Sequence, residues 1–154
     1  MNSIELSHLF TLRLRVADQR IRFVGNLPSG RRVIAPIDGG DFEGERLRGS
    51  VLCDGADWAR VGSDGVMEID ARVTLRTHDD SLIYIRYWGF GLPRNANIGD
   101  TWVSECRTAS SLDFHVSLRF ETGTQGYAWL NHVIAIATGT ITQEGPRYEV
   151  YGLA

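Results

Sequence analysis

Apolar and polar residues alternate with a period of two along most of this chain, the repeat of extended strands that bury one face. From Phe10 to Val16, Phe10, Leu12, Leu14 and Val16 share a face opposite Thr11, Arg13 and Arg15. From Val66 to Thr77 the alternation is cleaner, with Met67, Ile69, Ala71, Val73 and Leu75 opposite Glu68, Asp70, Arg72, Thr74 and Arg76. Between Leu82 and Trp88, Ile83, Ile85 and Tyr87 oppose Tyr84, Arg86 and Trp88.

Turn-forming residues punctuate these runs. Ser63-Asp64-Gly65 and His78-Asp79-Asp80 are short enough to close two successive hairpins, and Glu144-Gly145-Pro146 supplies a last turn. Further strands are expected near 31–37, 47–53, 114–121, 127–138 and 146–153. Residues 18–30, with Asn26-Leu27-Pro28-Ser29-Gly30, read as a loop, and Gly39-Gly40 as a bulge or turn. The stretch 91–113 reads as a long loop holding a short helix around 100–107, capped by Asp100, with a binding lid and a packing segment as its two alternatives. Many short strands joined by tight turns predict an all-β chain. The expected architecture is a single small antiparallel β-barrel over 1–154, a lipocalin-like up-and-down meander, with a sandwich as the alternative. Well-formed first and last strands favour closure, which removes exposed edges.

The length of 154 residues suffices to bury about 70% of the unfolded surface without staples. A net charge of −3 argues against a nucleic-acid partner. All 16 basic residues are arginine, which excludes a Schiff-base or P-loop lysine and leaves guanidinium groups suited to carboxylates. Cys53 and Cys106 form no CxxC pair and fit a reducing compartment. No signal peptide and no apolar run of about 20 residues is visible, so a cytoplasmic location without membrane contact is expected.

Several chemistries lack their motifs. His8, His78, His115 and His132 include no H-x-H or H-x3-H pair, and GxSxG and GxGxxG are missing. No metal and no cofactor is therefore expected.

Four groups of residues, taken in order, carry a likeness. They are Gly30-Arg31-Arg32 with Pro36-Ile37-Asp38-Gly39-Gly40 and Phe42-Glu43-Gly44; Leu47-Arg48-Gly49-Ser50-Val51-Leu52 with Gly55-Ala56-Asp57-Trp58; Asp70 to Thr77 with Asp79-Asp80 and Ile83-Tyr84-Ile85-Arg86; and Phe120-Glu121-Thr122-Gly123 with Tyr127-Ala128-Trp129-Leu130-Asn131. Together they resemble the bacterial "domain of unknown function 3237" family over nearly the whole chain. The resemblance implies an antiparallel β-barrel of this size with no general assigned activity. It also marks a departure. Where the family usually carries an aromatic-Phe-Arg run and often a proline, this chain has Asp113-Phe114-His115 and Leu118, a titratable group in place of an arginine.

The candidate site residues follow from the polar faces. Arg72 and Arg86 are candidates to hold an anionic group, and alternation leaves open whether their face lines the lumen or meets solvent. Trp58 and Trp129 suit a flat ligand, and Asn131, read as sharing a strand face with Trp129, offers a donor and an acceptor beside it. Glu121 and His115 share a face and are candidate proton carriers, with Tyr84 to polarise a carbonyl. Asp57 reads as capping the Gly55-Ala56-Asp57-Trp58 turn, with a general-base role as the alternative.

These residues favour a cofactor-independent enzyme of isomerase, cyclase, lyase or lactone-hydrolase type, moving protons on a small aromatic or carbonyl-bearing acid in the lumen. The alternatives are a non-catalytic small-molecule-binding barrel and a structural or accessory oligomer. A small-molecule ligand is the expected partner, and a homodimer the default assembly. A lumen holding two arginines and a glutamate favours the enzyme, a purely apolar lumen the carrier, and a filled lumen without a cavity the structural role.

Overall fold

The computed structural model describes residues 2–94 and 112–154. Its strands are β1 (Leu6–Val16), β2 (Arg22–Leu27), β3 (Gly30–Glu43), β4 (Arg48–Val51), β5 (Ala56–Val61), β6 (Met67–Thr77), β7 (Leu82–Pro93), β8 (Leu112–Glu121), β9 (Ala135–Ile141) and β10 (Pro146–Leu153). All pairings are antiparallel: β6 to β10 pair successively, β3 takes β1 and β2 on one edge, and β1 meets both β10 and β3, so the sheet closes into an eight-stave barrel. β4 and β5 share one stave, pairing with successive halves of both β3 and β6. The up-and-down barrel expected from the alternation is the fold.

The apolar faces point inward. Phe10, Leu12, Val33, Ile37, Phe42, Ile69, Val73, Ile85, Leu118 and Val150 are buried, and Phe10 packs edge-to-face on Phe42 and Phe120. An eight-stranded barrel is just wide enough for such side chains to fill it, and each one buried stabilises the fold by about 1.5–3 kcal/mol. The polar faces of β6, β7 and β8 therefore line the outside. Gly39-Gly40 bend β3 halfway along, where its register with β1 shifts. Both have positive φ, 130° and 142°, and a Cβ on Gly40 would meet the Arg13 carbonyl oxygen at 2.0 Å.

Three sequence expectations are corrected. The loop read at 18–30 is a 3₁₀ turn, Asp18–Arg20, followed by β2 and a tight hairpin into β3. The turn read at Gly55–Trp58 is the entry to β5. The strand read at 127–138 is a 3₁₀ helix, Gln125–His132, with β9 starting at Ala135. The short helix expected at 100–107 lies outside the described residues; to either side of them, β7 runs on to Pro93 and β8 begins at Leu112.

The two ends of the barrel are built differently. The 3₁₀ helix Gln125–His132 crosses the end formed by Thr77, Leu82, Glu121 and Ala135, and buries Tyr127 and Leu130 there. Tyr127 donates to Asp79 at 3.0 Å, Asn131 closes both backbone groups of Thr122 at 2.8 and 3.0 Å, and Arg46 lies 3.9 Å over the Trp129 ring. The opposite end, at Met67, Leu112, Val16 and the β9–β10 turn, holds a cavity. No helix among the described residues is long and apolar enough to cross a membrane.

Candidate functional site at the open end

The cavity is mostly apolar. Val16, Ile21, Ile37, Met67, Leu112, Phe114 and Ile141 contribute to the wall of a cavity of about 90 Å³. Gly145, at a φ of 151°, brings the β9–β10 turn against β1, where a Cβ would meet the Leu14 carbonyl at 2.3 Å. The cavity's polar lining residues include Asp57, Tyr87 and Tyr148. Asp18 and Glu144 stand among its lining residues too.

Each of the three comes from a different stave. Tyr87 is the inward residue after Ile83 and Ile85 on β7, and Tyr148 precedes Val150 on the inner face of β10; both are buried. Their rings meet edge-to-face at 5.5 Å, hydroxyl towards hydroxyl, and Phe114 packs on Tyr148 at 5.7 Å. Burial, with the nearby Asp57 charge, holds both phenols well above their ordinary range, so they are hydrogen-bond donors at any physiological pH.

Asp57 is a carboxyl in surroundings that oppose its charge. Its carboxyl is pushed up to about 7, first by burial and then by the neighbouring Asp70 carboxylate. A hydrogen bond from the Asp70 backbone N–H to Oδ1, at 3.1 Å, and the Arg32 charge oppose the rise. A carboxyl that titrates near neutrality can both give and take a proton. Among the described residues, no three His, Cys, Asp or Glu side chains converge to hold a metal ion.

The residues singled out in the sequence stand elsewhere. Arg72, Arg86 and Tyr84 occupy the outer faces of β6 and β7, with Arg72 paired to Arg86. Arg72 also lies 5.2 Å over the Trp58 ring, outside β5. Glu121 is exposed beside Tyr84, and His115 is exposed beside Phe90, six residues and roughly 20 Å further along β8. Trp129 and Asn131 belong to the 3₁₀ helix at the closed end, where the Asn131 donor and acceptor are both taken by Thr122. Arg72, Arg86, Tyr84, Trp58 and Glu121 are thus neighbours on the outer wall, and none of the eight lines the cavity.

The three cavity groups had weaker signals. Tyr87 and Tyr148 lay in plain view as hydroxyls on otherwise apolar faces, where a buried phenol needs a partner. Asp57 was obscured because Gly55-Ala56-Asp57-Trp58 has turn composition, and the stave that aims it inward depends on pairing with β3 and β6.

Comparison with known proteins agrees with this geometry at the level of fold. Residues 4–153 match the family model described as a protein of unknown function, DUF3237. A UPF0311 protein of Rhodopseudomonas palustris is 29% identical over 128 residues, covering 83% of this chain and 82% of the relative. The crystal structure of a β-barrel-like protein from Acinetobacter baumannii superposes with a TM-score of 0.85 at 30% identity, over 100% of this chain and 98% of that one. A structure described as an enzyme from Penicillium herquei superposes with a TM-score of 0.73 at 20% identity, over 100% and 97% of the two chains.

Proposed function

This chain belongs to the DUF3237 family of β-barrel proteins of unknown function, and within that family we propose that it is a cofactor-independent enzyme whose acid–base chemistry takes place in the cavity at the open end. The observation that carries this reading is a carboxyl pushed up to about 7 in an apolar cavity beside two buried phenols. Asp57 moves the proton, and Tyr87, whose hydroxyl accepts from Tyr148, donates to the oxygen on which charge develops. Preorganised donors of this kind act strongly where water is excluded.

The chemistry of the lining selects the substrate. No arginine is among the described lining residues, so nothing described there would compensate the charge of an anionic acid taken out of water. An uncharged phenol, cyclic ketone or lactone fits the apolar wall and the phenol donors. Isomerisation, cyclisation and lactone opening need one group that can act as acid and base in turn, which Asp57 supplies. That a barrel of this fold is described as an enzyme in Penicillium herquei is consistent with such a use.

Thermal-shift screening of uncharged phenols, cyclic ketones and lactones identifies ligands, and turnover of each hit is then followed. With a substrate in hand, Asp57→Asn is expected to reduce turnover at least about 100-fold while ligand still binds. Undiminished turnover in that variant removes Asp57 from the mechanism. Binding without turnover of any hit instead makes the barrel a carrier.

A further inference from the structure

Beside the cavity the regular β5–β6 ladder is interrupted. Its register pairs Asp57 with Ala71 and Arg60 with Glu68, and the residues between them are unpaired. Two donors fill the gap in an unusual way. The Asp70 N–H, which an unbroken ladder would aim at the Trp58 carbonyl, donates to Asp57 Oδ1 at 3.1 Å, and the Trp58 carbonyl accepts from Arg32 Nη1 at 2.7 Å. A side chain from inside the barrel is thereby spliced into the wall.

Because side chains alternate across a sheet, the Asp70 carboxylate stands on the opposite, outer face from the cavity. There Oδ1 is buried without a hydrogen-bond partner. The nearest cations, Arg86 Nε at 3.7 Å and Arg72 Nη2 at 3.9 Å, are too far to hydrogen-bond it. A negative charge approached by two guanidinium groups, but with no hydrogen bond to this oxygen, therefore lies just across the wall from the cavity carboxyl.

Resting on the reading of the cavity as an acid–base site, we propose that Asp70 is its positioning residue: its N–H orients the Asp57 carboxyl, and its outer-wall charge acts through the sheet on the protonation of that carboxyl. The other groups facing Asp57 set the background. Arg32 on β3 favours the ionised form, Tyr87 on β7 and Tyr148 on β10 are neutral, and Asp18 and Glu144 line the same cavity. Burial remains the larger influence on Asp57, and Asp70 adds like-charge repulsion to it. Arg72 and Arg86 then have a task outside the cavity, since they set how much of the Asp70 charge is felt within it.

The test is a titration of the Asp57 carboxyl carbon by NMR in the full chain, comparing the natural sequence with Asp70→Asn and Arg86→Gln. Asp70→Asn keeps the backbone N–H and removes the charge, so the Asp57 midpoint is expected to fall by about half a unit to one unit. Arg86→Gln leaves Asp70 less compensated and is expected to raise the midpoint by a smaller amount. Opposite shifts from two outer-wall variants are not produced by a merely structural role. An Asp57 midpoint that stays put or rises in Asp70→Asn overturns the inference; if that variant does not fold, the absence of a rise in Arg86→Gln does so. A midpoint in the ordinary carboxylate range in the natural sequence overturns instead the acid–base reading of the cavity.

Discussion

The two ends of this barrel solve the same problem in opposite ways. A closed sheet leaves a ring of inward-facing positions at each rim that must meet either protein or water. At the closed end the 3₁₀ helix Gln125–His132 supplies Leu130 and Tyr127, and two of its polar side chains are hydrogen-bonded back to the barrel: the Tyr127 hydroxyl to Asp79, and the Asn131 amide to Thr122. At the other end, among the described residues, the β9–β10 turn and the Asp18–Arg20 turn leave Asp57, Tyr87 and Tyr148 facing a cavity. The lesson lies in the carboxylates. Asp79, hydrogen-bonded by Thr77 and Tyr127, is held below its ordinary range, whereas Asp57 is raised to about 7. One is satisfied as an anion; the other is kept ready to exchange a proton.

The largest test of this contrast removes the plug. Leu130→Ala is expected to destabilise the fold by about 2–5 kcal/mol, measured by urea denaturation, because Leu130 is fully buried where the helix meets the core. The cavity lies at the far end, so affinity for a cavity ligand should be unchanged in the folded variant. Loss of binding in proportion to stability would show that the two ends are not independent.

A second test uses pH. Asp57 binds its proton more tightly folded than unfolded, so between about pH 4 and 7 the native state holds more protons and stability falls as pH rises. Asp57→Asn retains an acceptor for the Asp70 N–H and removes the charge. It should therefore stabilise the protein at pH 8 by about 1–3 kcal/mol, partial solvation of the site being allowed for, and by nothing near pH 4. Asp79 has the opposite sign, its contribution being present at neutral pH and lost as the solution is acidified below the ordinary carboxylate range. Asp79→Asn should thus weaken the fold at pH 7 and not at pH 3, as read by thermal melts. Matching pH dependences for the two variants would erase the distinction between the ends.

The smallest expected effect concerns the outer wall. Arg72 and Arg86 make only long, solvent-screened approaches to Asp70. Replacing either by alanine should change stability by less than about 0.5 kcal/mol and leave the affinity of an uncharged cavity ligand within about twofold. A carboxylate ligand lost in Arg72→Ala or Arg86→Ala would move the binding site to the outside of the barrel.

How much of this was legible beforehand varies with the range over which each feature is decided. Strands β1, β6, β7, β8 and β10 were visible because their alternation is local, and the turns at Ser63-Asp64-Gly65, His78-Asp79-Asp80 and Glu144-Gly145-Pro146 were visible for the same reason. The 3₁₀ helix was missed because Tyr127, Trp129 and Asn131 alternate as a strand would, while Tyr127 and Leu130 bury against the barrel end with a helical offset. Polar residues with suggestive chemistry, such as Glu121 and His115, drew attention because they are conspicuous on strand faces, yet those faces are the solvated ones.

By itself the sequence determined that the chain is built of strands with one apolar and one polar face each, and that guanidinium groups gather on the polar faces of β6 and β7. Both follow from a period of two, which each strand carries without reference to any other. Alternation divides residues into two faces without saying which face is inside. Closure decides that, because only the apolar set can fill a lumen this narrow. Closure likewise brings Asp57, Tyr87 and Tyr148 from three distant stretches of chain to one end of the barrel. The upward shift of Asp57 comes from the burial and charge of neighbours that only the tertiary structure supplies.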